Sequence, residues 1–97
     1  MYARVITTQY HPEKMDEGLR IYREVLAATR QLSGLKGVLG LIDREAGKAM
    51  SITLWDTEAE AQASGSGSTY FQAQLTRFAS VFSAAPMIET YEVAVQE

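Results

Sequence analysis

Tyr2 to Tyr10, YARVITTQY, alternates with a period of two and is rich in β-branched and aromatic residues, the pattern of a strand. His11-Pro12 ends it, because proline offers no N–H to a central ladder. From there the period lengthens. Met15, Leu19, Tyr22, Val25 or Leu26, Thr29 and Leu32 recur at three or four, and Pro12 suits a first helical turn. Glu13, Asp16 and Glu17 lie near the positive helix end. The spacing predicts a helix to about Leu32, stopped at Ser33-Gly34. Lys36 to Arg44 and Ala49 to Trp55 return to strand character around Glu45-Ala46-Gly47-Lys48, which predicts a hairpin.

Asp56 or Thr57 is placed to cap a second helix, with Glu58 and Glu60 in its first turn. The segment SGSGS, Ser64 to Ser68, breaks that helix, since serines and glycines favour turns. The helical period resumes through Phe71, Leu75, Phe78 and Phe82 until Ala85-Pro86. Met87 to Val95, MIETYEVAV, is a fourth strand. The order β-α-β-β-α-β predicts an α+β, ferredoxin-like antiparallel sheet with helices on one face.

Such a sheet normally shows one apolar and one polar face, but these strands are apolar on both. Ala3, Val5 and Thr7 oppose Tyr2, Ile6 and Thr8; Val38 and Ile42 oppose Leu39 and Leu41; Met87, Tyr91, Val93 and Val95 oppose Ile88 and Ala94. A second apolar face needs a cover, most simply its own copy about a two-fold axis. The expectation is a homodimer packed through its sheet faces.

Ninety-seven residues, with no internal repeat and no linker, fit a single domain over 1–97. The absence of cysteine excludes disulfides and thiolate chemistry, and a single histidine excludes a multi-histidine metal site. A net charge of -3 with nine scattered basic residues argues against nucleic acid. No apolar run approaches the roughly 20 residues a bilayer needs, and MYARVITTQY lacks a signal-peptide layout. No membrane association and a cytoplasmic setting are the expectation.

The layout resembles the dimeric α/β-barrel superfamily, and within it the antibiotic biosynthesis monooxygenase (ABM) branch. The resemblance is carried by SITLWDTEAE, Ser51 to Glu60, where a tryptophan ends a strand before a turn and acidic helix, by Tyr70-Phe71, and by the closing strand IETYEV. It implies a homodimer with one pocket per subunit between helices and sheet. It also implies cofactor-independent oxidation of a small phenolic or quinol-like aromatic, without cofactor or metal. The alternative is a noncatalytic dimer of the same fold that binds a small molecule. Quinol-type members have an asparagine four residues before the tryptophan. Here that position is Ser51, whose hydroxyl lacks the amide's donor and acceptor pair. Haem-degrading members use a strand-one asparagine, a further tryptophan and a helical histidine, against which this chain sets Thr7, one tryptophan and His11. Haem degradation is therefore disfavoured.

The catalytic candidates on this reading are Trp55, Ser51, Tyr70 and Arg77, with Thr7, Tyr22, Phe71, Phe78 and Phe82 lining the pocket. Each has a plainer role beside it. Trp55 caps the core with its indole N–H near the surface; the helical aromatics are packing; Arg77 sits on a solvated face. Ser51, Thr53 and Trp55 share one strand face. Arg4, alone in an apolar strand, is expected to pair across the dimer seam. His11 has no carboxylate partner in the pattern and reads as an exposed residue near a helix start. SGSGS lacks the lysine and preceding strand of a phosphate loop and reads as a connector or pocket lid.

Overall fold

The computed structural model describes residues 1–63 and 69–97, and of residues 69 and 70 the backbone alone. The chain runs β1 (Tyr2–Gln9), a 3-10 turn at Pro12–Lys14, α1 (Met15–Thr29), β2 (Leu35–Asp43), β3 (Lys48–Trp55), α2 (Glu58–Ala63), α3 (Thr69–Arg77) and β4 (Met87–Glu92). The four strands form one antiparallel sheet in the order β2-β3-β1-β4, the α+β plan expected. Pro12 opens the 3-10 turn rather than the α-helix itself. Gly47 closes the β2–β3 hairpin at φ 65°, a left-handed conformation that suits glycine.

The register sorts the sheet into two faces. Arg4 pairs with Thr53, Ile6 with Ser51 and Thr8 with Ala49, while Val38, Gly40 and Ile42 extend the same rows on β2. These residues face the helices. The opposite rows pair Ala3 with Leu54, Val5 with Ile52 and Thr7 with Met50, flanked by Leu39 and Leu41 on one edge and Met87 and Tyr91 on the other. On this outer face Leu39 is 57% exposed, Leu41 47%, Met87 60% and Tyr91 50%.

The core lies between helices and sheet. Tyr10, Met15, Ile21, Phe78 and Val81 form its main cluster. Tyr10 meets Phe82 edge-on at 5.2 Å, and Phe78 stacks on Phe82 at 4.9 Å; burying each such ring contributes about 2 kcal/mol. Trp55, Ala61 and Phe71 are buried outside that cluster, so the helix–sheet layer is packed in two places.

Several boundaries differ from the sequence expectation. Helix α1 gives way at Thr29 to tight turns through Leu32, and β4 stops at Glu92 rather than Val95. Helix α3 ends at Arg77 although Phe78 and Phe82 keep its spacing. The cause lies in the backbone: Val81 O accepts from His11 N and Ser83 N donates to Gln9 O, so Tyr10 and Phe82 form a bridge that extends β1. A three-and-four apolar spacing suits either a helix or this turn-and-bridge. The SGSGS segment, and with it the connector or lid expectation, lies outside the described residues. Among the described residues no helix is long and apolar enough to cross a membrane.

Candidate functional site

Between the two packed regions the layer opens into a pocket of about 350 Å³. Its size falls within the range of small-molecule sites.

The floor comes from the inner rows of the sheet: Arg4, Ile6 and Thr8 on β1, Ser51 and Thr53 on β3, and Gly40 and Ile42 on β2. Tyr22 and Val25 on α1 and Phe71, Gln74 and Phe78 on α3 form the roof. Gly40 matters for space, because a Cβ there would stand 3.0 Å from Tyr22 Cε2 and crowd the ring. Tyr22 Oη lies 2.9 Å from Ser51 Oγ, and either hydroxyl is able to donate. This pair is one of the polar groups in a mostly apolar lining.

A second polar group lies at the strand-one end. Thr8 Oγ1 donates to Ala49 O at 3.3 Å. Burial pushes the Tyr10 phenol above its ordinary value; its hydrogen bond with Thr8 opposes the shift and the nearby Tyr22 adds to it. Both hydroxyls belong to lining residues. Among the described residues no group of histidine, aspartate and glutamate could hold a metal ion.

The structure brings together Ser51, Tyr22, Phe71, Phe78 and Phe82 in this lining. It places the remaining candidates elsewhere. Trp55 is 0% exposed and stands outside the lining; its indole N–H, expected near the surface, donates to Thr53 Oγ1 at 2.9 Å. Arg77 lies outside the pocket and binds Glu24 at 2.8 Å on the exposed side of α1. Thr7 faces outward between Met50 and Met87, and its neighbour Thr8 takes the pocket position. The side chain of Tyr70 lies outside the described set.

Of the polar lining residues that sequence reasoning did not assign to the site, Arg4 and Gln74 bear most on its chemistry. Arg4, expected at a dimer seam, is instead on the inner face and 4% exposed. Its Nη1 donates to Ala61 O at 2.7 Å, and its guanidinium carbon lies 5.1 Å from the Trp55 ring centroid. Gln74 carries a buried Oε1 with no hydrogen-bond donor among the described residues. The usable signals were parity with Ile6 and Thr8 for Arg4, and position between Phe71 and Phe78 on one helical stripe for Gln74.

Solved structures fix what this architecture is. An antibiotic biosynthesis monooxygenase superposes with a TM-score of 0.78 at 18% identity, over 98% of this chain and 100% of its own. The chain has the antibiotic biosynthesis monooxygenase fold. A protein of unknown function from Nitrosomonas europaea, NE2512, shares this ABM fold with a TM-score of 0.82 at 18% identity, covering 99% of this chain and 91% of that one. In sequence, the chain is 32% identical over 95 residues to the uncharacterized protein Rv2557 of Mycobacterium tuberculosis, and spans 41% of that relative's length. No family model matches it.

Proposed function

We propose that this ABM-fold chain acts as a homodimer that binds a small phenolic or quinol-like aromatic in the helix–sheet pocket and oxidises it with molecular oxygen, without a cofactor. The observation that carries the reading is the Tyr22–Ser51 hydroxyl pair, 2.9 Å apart, in the lining of a mostly apolar pocket of about 350 Å³. Two hydroxyls held in a low-dielectric cavity are suited to the oxygen of a deprotonated phenol and to the oxyanion that develops as oxygen attacks. For an anthrone-type methylene the sum is CH2 + O2 → C=O + H2O, in which the substrate supplies all the electrons. Ser51 and Tyr22 contact the substrate oxygen; Phe71 and Phe78 bracket the ring; Trp55 is a positioning residue beneath Thr53 and Arg4. Tyr70, on the first turn of α3, stays a candidate for a further hydroxyl. The apolar outer face supports mating of two sheets, in line with the dimer expected from sequence.

A second reading is a noncatalytic small-molecule-binding dimer. It is favoured by the lining itself, which holds no histidine, aspartate or glutamate among the described residues to serve as a general base. Oxygen uptake with an anthrone and hydroquinone panel separates the two. Catalysis predicts uptake that falls by about a hundredfold to a thousandfold in Ser51→Ala and in Tyr22→Phe. Binding of panel members without any uptake would establish the noncatalytic reading.

A further inference from the structure

Resting on the pocket reading above, we infer that the site selects its aromatic ligand as an anion, with Arg4 recognising the negative charge and Gln74 accepting a hydrogen bond from a hydroxyl on the same ligand. Arg4 is 4% exposed and belongs to the pocket lining. It is a fixed group, clamped between the Ala61 carbonyl and the Trp55 ring, and a charge held in place recognises an anion without the cost of reorganisation. Arg23 adds a second cation from the exposed side of α1. The described lining contains these two arginines and no acidic residue, so a carboxylate, sulfonate or phenolate entering the pocket lowers the energy of the site and a cation raises it.

Gln74 gives the second, independent observation. Its Oε1 is buried at the pocket wall with no donor among the described residues, and a buried acceptor left without a donor is unfavourable. A ligand hydroxyl relieves it. Arg4 and Gln74 thus ask for different atoms of one molecule, an acidic oxygen and an O–H, on an aromatic frame that suits Phe71 and Phe78. A structural role for Arg4 alone, holding α2 by the Ala61 carbonyl, predicts no preference for charge in the ligand.

Matched probes decide the matter. 8-Anilinonaphthalene-1-sulfonate and N-phenyl-1-naphthylamine share one ring frame and differ by the sulfonate, so fluorescence titration of the full chain reads the contribution of charge directly. The expected result is about tenfold or more tighter binding of the sulfonate. That ratio falls towards one in Arg4→Met, is largely kept in Arg4→Lys, and is unchanged in the surface control Arg44→Met. Competition by 6-hydroxy-2-naphthoate and 2-naphthoate tests Gln74: the hydroxyl should tighten binding by about threefold or more, and Gln74→Leu should erase the gain. Equal affinity for the two fluorescent probes in the native protein overturns the anion preference and leaves the aromatic pocket standing, whether or not Arg4→Met folds. Failure of both probes to bind overturns the pocket reading with it. A hydroxyl without effect removes Gln74 from the assignment.

Discussion

Tyr10 packs its ring against Gly18, where a Cβ would run into the ring's Cε2 and Cδ2 atoms, and edge-on against Phe82. The glycine in the second turn of α1 is there to admit an aromatic from the end of β1. Burial is the main cause of the raised Tyr10 ionisation, and its consequence has a definite sign. The unfolded chain loses the phenolic proton at the ordinary value near 10, the folded chain only at higher pH. Stability is therefore full below about pH 10 and declines as pH climbs through the folded value. Urea unfolding followed from pH 9 to 11 should show that decline, and Tyr10→Phe should flatten its Tyr10 component. At this scale the sequence was legible in relative placement: Ser51 and Thr53 share one row of β3, as expected, and both line the pocket. It was not legible where two adjacent positions look alike: Thr7 and Thr8 differ only in parity, and with both faces apolar nothing in the strand fixes which parity faces the helices. Arg4 was misread for the same reason.

Among the elements, α2 shows how a six-residue helix holds its start. Of the two candidate caps, Asp56 ion-pairs with Lys36 at 3.2 Å and Thr57 takes the capping role. Thr57 Oγ1 accepts from the Glu60 amide at 3.1 Å and donates to Glu60 Oε1 at 3.1 Å, close to a capping box. Thr57→Ala should cost about 1 kcal/mol, read as a lower urea midpoint at unchanged m-value, with Thr57→Ser restoring most of it. The order and kind of elements were readable throughout, because strand and helix periods differ over stretches of this length. Their ends were less so. The α3 terminus is decided by a long-range backbone bridge between Tyr10 and Phe82, and no local pattern encodes a partner more than 70 residues away.

For the molecule as a whole, the outer sheet face is the feature that sequence alternation foresaw and the structure displays, with Leu39, Leu41, Met87 and Tyr91 about half exposed or more. Apolar patches of this kind mark interaction surfaces. If two sheets mate there, sedimentation equilibrium of the native chain should give a dimer, and Leu39→Lys combined with Leu41→Lys should give a folded monomer. A native monomer at micromolar concentration would remove the dimer from the proposal. The pocket's existence was expected from the resemblance, yet its charge was not, since a buried cation depends on which way one strand is turned.

That two-sidedness bears on how the chain tolerates insertions and deletions. One residue added within β1 or β3 would not merely displace a few contacts; it would send the pocket's floor outward and bring the outer apolar row in beneath the helices. The spacing of these strands is thus a reading frame, and a single-residue indel acts on it as a frameshift.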